Sequence, residues 1–187
     1  MMQALVSILD NMTHLLLTKT CTQLKEEFCA CGFYVTEYPH FSYQVAEGFD
    51  LDTLKARLAR EATQLASITT RVSGVGIFPG PHPIIFLPVV RTLELSHLHH
   101  RLWEISNDAA HQMVTHYHAT RWIPHITLAQ NDVTHDTLPD VMRWLNDRTF
   151  EWEIRVDNLA LIYTDGEENK DTGITFRFDL TGKEHIA

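Results

Sequence analysis

Two short stretches decide how this 187-residue chain can fold: Pro-His-Phe-Ser-Tyr at residues 39–43 and Pro-His-Ile-Thr-Leu at residues 124–128. Their histidines are separated by 85 positions, close to half the chain length. Each stretch begins with proline and then alternates polar with apolar side chains, which is typical of a strand with one buried face. We interpret the pair as a weak internal repeat, which favours a fold with two similar lobes.

The alternation indicates which side chains share a face. His40 and Ser42 are two residues apart, so they project from the same side of a strand. His125 and Thr127 are related in the same way. The alternate positions of both stretches are apolar and can enter the core: Phe41, Tyr43, Ile126 and Leu128. Two similar lobes would place both His-hydroxyl pairs across one groove.

Periodicity in the rest of the chain predicts mixed helices and strands. Helices are predicted at residues 10–31, from residue 50 or 52 through 65, at 92–113 or beyond and at 134–146, and extended segments at 2–9, 33–38, 40–46, 68–78, 84–90, 122–129, 150–163 and 174–180. A polar loop, residues 165–173, joins the last two strands as a hairpin. No low-complexity linker interrupts this order, so we expect one α+β domain over residues 1–187.

Composition limits the classes of function. The chain has 15 Lys+Arg against 24 Asp+Glu, a formal net charge of −9, which excludes a general nucleic-acid coat but allows a local basic pocket. No apolar run approaches the roughly 18 residues of a membrane helix. There is no signal-peptide pattern, and an odd number of cysteines (Cys21, Cys29 and Cys31) is typical of reduced thiols, so we expect a cytoplasmic protein.

Two histidines on opposite sides of a phosphorus atom are suited to phosphoester chemistry without a metal. One neutral imidazole takes a proton from the attacking water, and the other, protonated, gives a proton to the leaving oxygen. An imidazole serves both roles because its ordinary pKa lies near 6.5. The hydroxyls of Ser42 and Thr127 can donate hydrogen bonds to the non-bridging phosphate oxygens. The sequence does not decide which histidine is the base.

These paired motifs, especially residues 124–128, resemble the 2H phosphoesterase superfamily in its 2'-5' RNA ligase-like branch. The resemblance implies a duplicated two-lobed α+β fold, with antiparallel sheets around a central groove and helices outside. It also implies metal-independent hydrolysis of 2',3'-cyclic phosphates or 2'-5' linkages, with no cofactor. His40 and His125 match the acid-base pair of the family, and Ser42 and Thr127 match its phosphate-binding hydroxyls. At the position of Ser42, threonine is commoner in the family than serine.

Four residues outside the two motifs are further candidates for substrate binding. Arg121 could pair with a phosphate, and Trp122 or Phe78 could stack a base, but each has a competing interpretation as a solvated or core side chain. Tyr163 ends a strand from which it could reach the groove. The histidines around His97 and His100 lack a zinc pattern, so we interpret them as a solvated or partly buried helix face.

We therefore predict a phosphodiesterase for small nucleotides or RNA ends, monomeric, with no membrane or long nucleic-acid partner. Three alternatives stay open. The chain could be an inactive binding module that keeps the groove, it could join RNA ends on the same site, or it could be a metal-dependent hydrolase. Formation of product would exclude the inactive module. The bond that changes would separate hydrolysis from end-joining, and metal analysis of the purified protein would decide on a metal-dependent hydrolase.

Overall fold

The computed structural model describes residues 2–28, 37–130, 133–165 and 171–182. Within them lie four α-helices and ten strands, and every strand pair is antiparallel. The helices are α1 Asn11–Phe28, α2 Leu51–Ala62, α3 Leu93–Asn107 and α4 Leu138–Asn146. The strands are β1 Met2–Ile8, β2 His40–Phe49, β3 Ile68–Arg71, β4 Gly76–Phe78, β5 Ile84–Pro88, β6 Ala110–Met113, β7 His125–Ala129, β8 Glu153–Val156, β9 Asn158–Asp165 and β10 Asp171–Asp179. The predicted α+β class is confirmed.

The first motif lies in a five-stranded sheet of order β10-β9-β1-β2-β6. Phe41 and Tyr43 point into the main core, where α2 and α3 cover that face of the sheet. His40 pairs with Ile8 and Ser42 with Val6, and residues directly opposite each other share a face. The two motif side chains therefore project from the face that the helices leave uncovered. A small apolar cluster occupies that face: Val6, Ile8, Ala160 and Ile162.

The second motif lies in a three-stranded sheet of order β4-β5-β7. Ile126 and Leu128 are fully buried in the main core, where the Cys21 thiol of α1 donates a hydrogen bond to the Leu128 carbonyl at 3.8 Å. His125 and Thr127 point to the other side. Both motifs thus alternate as the sequence predicted, with helices packed behind each sheet.

Capping side chains begin three of the helices where the sequence places them. A carboxylate oxygen of Asp10 accepts the Thr13 N–H at 2.9 Å at the start of α1. Asp50 does the same at the start of α2, and the Thr92 hydroxyl accepts the Leu95 N–H at the start of α3. Each cap satisfies an N–H group that has no partner within the helix. Among the described residues, no helix combines the length and apolar character needed to span a membrane.

Three predicted boundaries are wrong because strand pairing overrides local periodicity. The third helix ends at Asn107 instead of continuing to Met113, and residues 110–113 form β6, which pairs with the edge of β2. Residues 68–78 form two strands divided at Gly74, whose φ of +80° lies in the left-handed region. Residues 150–163 contain β8 and β9, which belong to different sheets. The predicted end of the first helix at Cys31 lies outside the described residues. Most of the predicted extended segment 33–38 also lies outside them.

Candidate active site

The two motif histidines are held by the same local geometry. His40 Nδ1 lies 2.7 Å from the Tyr38 carbonyl oxygen, and His125 Nδ1 lies 2.7 Å from the Ile123 carbonyl oxygen. A carbonyl can only accept a hydrogen bond, so the partner assigns the proton of each neutral ring to Nδ1. Each Nε2 is therefore the atom available to exchange a proton with a ligand.

The two rings have similar environments and lie near each other. Both side chains are only half-buried, yet loss of solvation lowers the pKa of His40 and of His125. The hydrogen bond to a carbonyl raises each pKa and opposes part of that effect. Charge on His125 also lowers the pKa of His40, so the two rings are close enough to interact. Strands β2 and β7, which carry them, are in contact.

The hydroxyls of both motifs accompany their histidines. Ser42 is half-buried and shares the face of His40, and Thr127 is exposed on the face of His125. The Ser42 hydroxyl lies close enough to the phenol of Tyr117, in a 3-10 turn (Thr115–Tyr117), to lower the pKa of that phenol. Burial raises the pKa of Tyr117, so its phenol stays neutral and can act as a donor. The sequence analysis does not single out Tyr117, because the third helix is predicted to extend to residue 113 or beyond, toward this turn.

An aromatic wall adjoins His125. The Phe78 ring stacks on Phe86 with 4.1 Å between centroids, and it meets the His125 ring edge to face at 4.9 Å. A Cβ on Gly76 would lie 2.4 Å from the Phe86 ring, so only glycine lets that ring lie across β4. Phe78 is half-buried and lies beside His125, so its role as a platform for a base stays a prediction. Phe86 was missed because its role depends on its pairing with Thr127, which only the register reveals.

Two other predicted binding residues lie elsewhere. Trp122 is only 2 % exposed, and its ring stacks on His99 at 3.9 Å, so no face is left for a base. The stacking role predicted for Trp122 is therefore wrong, because the indole completes the core behind the motifs. Arg121 is exposed and lines a surface depression with Trp103 and His118, which does not include either motif histidine.

Tyr163 is also directed away from the motif histidines. It pairs with Gln3 of β1 and with Gly173 of β10, and its ring lies against Gly173. Its neighbour Ile162 belongs to the apolar cluster on the face of His40. Because side chains alternate along a strand, Tyr163 belongs to the opposite face. The prediction that it reaches the groove is wrong for this reason.

The remaining histidines do not form a metal centre in the part of the chain that the structure describes. Nowhere in those residues do three His, Cys, Asp or Glu side chains come together to hold an ion. On α3, His97 and His100 are exposed, whereas His99 is fully buried. The sequence predicts that these histidines share one solvated or partly buried helix face. In the structure, His97 and His100 face solvent and His99 faces the core.

Comparisons with known proteins agree with this architecture. A family model described as the 2'-5' RNA ligase superfamily matches residues 22–168, which is more than three quarters of the chain. A search of curated proteins finds no match to this sequence.

Solved structures share the fold at low sequence identity. The protein TT0787 of Thermus thermophilus has a TM-score of 0.70 and 18% identity, covering 98% of this chain and all of that one. Apo LigT of Escherichia coli has a TM-score of 0.67 and 12% identity, covering 96% and 97% of the two chains. LigT complexed with 3'-AMP has a TM-score of 0.61 and 15% identity, covering 96% of each.

Proposed function

This chain belongs to the 2'-5' RNA ligase superfamily of 2H phosphoesterases, and we propose that it hydrolyses 2',3'-cyclic phosphates or 2'-5' phosphodiester bonds of nucleotides or RNA ends. The observation that carries the proposal is the matched pair of imidazoles. The Nδ1–H of each ring donates a hydrogen bond to the carbonyl two residues earlier, which leaves Nε2 available for the ligand. His40 and His125 are thus equivalent in geometry, as a two-sided acid-base mechanism requires.

The proposed reaction begins with one neutral and one protonated ring. The lowered pKa values favour neutral rings in the free protein, which supplies the base. A bound phosphate anion raises the pKa of a nearby histidine, which lets the second ring hold a proton. The neutral Nε2 takes a proton from water as its oxygen attacks phosphorus. The bond from phosphorus to the ribose oxygen breaks, and the other Nε2–H protonates that oxygen. Each transfer contributes typically 10²–10⁴ in rate.

The motif hydroxyls supply the proposed electrostatic part of catalysis. Ser42 and Thr127 lie two residues after their histidines on rigid strands, on the same faces. A hydroxyl in that position can donate to a non-bridging oxygen of a phosphate held between the rings. The neutral phenol of Tyr117 adds a donor beside Ser42.

Two observations favour a small nucleotide or an RNA end over a long nucleic acid. Phe78 presents a half-buried ring beside His125, where a base can stack next to the reacting phosphate. The net charge of −9 disfavours the many phosphate contacts that a long strand needs. LigT, a protein of the same fold, has been crystallised with the nucleotide 3'-AMP, which is the size of ligand proposed.

The test is incubation with nucleoside 2',3'-cyclic phosphates and 2'-5' dinucleotides, followed by separation of the products to show which bond opens. We expect His40→Ala and His125→Ala each to lower kcat by about 10²–10⁴. His97→Ala is the matched control, because that exposed histidine lies outside the site, and it should turn over like the wild type. Full activity in either motif variant would refute the mechanism. Binding without product would indicate the inactive module, and joined ends would indicate ligation.

A further inference from the structure

A buried stack of three rings lies behind the two motifs. Trp122 stands three residues before His125, and its ring stacks on His99 of α3 with an interplanar angle of 13°. On β2, Tyr43 follows Ser42, and its ring also stacks on Trp122, with 5.8 Å between centroids. All three side chains are at most 2 % exposed. We call Tyr43, His99 and Trp122 the central stack.

Hydrogen bonds connect the central stack to the backbone of both halves of the site. His99 Nε2 lies 3.1 Å from the Tyr43 carbonyl and 3.0 Å from the Tyr117 carbonyl. Both partners are acceptors, so Nε2 carries the proton and donates to both. The Trp122 Nε1–H donates to the Ser42 carbonyl at 2.8 Å. One helix thus holds the first motif, the turn that carries Tyr117, and the segment that leads to the second motif.

His99 lies in a buried environment that is costly for its unpaired ring nitrogen. It is fully buried, and its Nδ1 has no hydrogen-bond partner among the residues that the structure describes. A buried nitrogen without a partner costs stability, which leucine or phenylalanine at this position would avoid. Burial lowers the pKa of His99 to about 4, so the ring is neutral near pH 7 and its donor arrangement is constant. What histidine adds here is the shared Nε2–H donor together with a flat ring for Trp122.

We propose that His99 is a positioning residue that fixes the spacing between His40 and His125 through the two carbonyls it binds and the indole it supports. This inference rests on the proposed function. Proton transfer through two groups on opposite sides of one phosphorus tolerates little displacement, since an error of about 1 Å can cost 10²-fold in rate. Among the described residues, no hydrogen bond or ring contact joins His99 to His40 or His125, so the effect of His99 must pass through Ser42, Tyr43 and Trp122.

The experiment compares His99→Phe, which keeps a flat ring and loses the donor, with His99→Gln, whose amide N–H can replace the donor. We expect His99→Phe to lower kcat at least tenfold with KM changed less than threefold, and His99→Gln to recover most of that loss. His97→Phe, on the exposed face of the same helix, should behave like the wild type. Thermal unfolding of each variant reports that it is folded. A folded His99→Phe protein with wild-type kcat would overturn the inference, as would a loss confined to KM.

A second variant covers the case in which His99→Phe does not fold. Trp122→Phe keeps a ring on His99 and removes the hydrogen bond to the Ser42 carbonyl, and we expect at least a tenfold fall in kcat with KM changed less than threefold. Wild-type kcat in that folded variant would overturn the inference.

Failure of the proposed function gives a different result. If the wild type turns over none of the substrates, the readout is the NMR signals of the His40 and His125 rings. In His99→Phe and Trp122→Phe, unlike His99→Gln, we expect both sets of signals to shift. Unshifted signals would overturn the positioning role independently of activity.

Discussion

Acid should destabilise this protein through His99, and His99→Gln should remove that part of the effect. The ring has an ordinary pKa of 6.5 in the unfolded chain and about 4 when buried. Between these values the unfolded state binds the proton more strongly, so the free energy of unfolding falls as pH decreases. At roughly 1.4 kcal/mol per pKa unit, the full loss is about 3 kcal/mol, and most of it has occurred by pH 4.5. Glutamine does not titrate and has no such loss.

The assay is urea unfolding of the wild type and of His99→Gln at pH 7.5 and pH 4.5. Carboxylates with lowered pKa values, such as Asp10, and the two motif histidines also titrate, but they do so in both proteins. The difference between the two pH-induced changes therefore isolates His99. With a urea dependence of about 1–3 kcal/mol per molar, the wild-type midpoint should fall by about 1 M more than that of the variant. Equal changes in the two proteins would refute the buried, neutral state of His99.

Three further predictions concern the site. Thr127→Val keeps the shape of the side chain but removes the hydroxyl, so steady-state kinetics should show kcat/KM lowered by about tenfold or more, and an unchanged value would exclude a phosphate contact. Gly76→Ala places a methyl group against the Phe86 ring and should cost about 1–3 kcal/mol in urea unfolding, whereas the control Gly80→Ala, with no atom within 4 Å of the new Cβ, should cost much less. The acid limb of the kcat/KM profile should lie below pH 6.5, because loss of solvation lowers the pKa of both motif histidines, and a limb above that value would contradict this.

The sequence was sufficient to predict the class of the fold and the residues on the motif faces. Alternation is a local property, so the burial of Phe41, Tyr43, Ile126 and Leu128 follows from the order of residues alone. The helix starts at Asp10 and Asp50 could also be predicted from the sequence, because a capping side chain accepts the N–H of a residue only three positions later. The prediction that two distant motifs form one site comes from their repeat and from the resemblance to a known family.

What the sequence could not give depends on contacts between distant segments. Residues 110–113 continue a helical pattern, but an open strand edge on β2 supplies backbone partners that a helix end lacks. An aromatic residue near a motif is compatible both with stacking on a ligand and with core packing, and the partner that decides for Trp122, His99, lies 23 positions earlier. Likewise, the direction of Tyr163 depends on its register with β1, and the place of Phe86 on its register with β7.

The most direct measurement of the central claim is an NMR titration of the imidazole signals of His40 and His125 with inorganic phosphate, using His97 as the internal control. We predict that the signals of both motif histidines shift along one binding curve with one Kd and one phosphate per chain. We also predict that the pKa values of His40 and His125 rise together on binding, while the His97 signal does not move. A shift in only one motif histidine, or two curves with different Kd values, would contradict a single phosphate held between two rings.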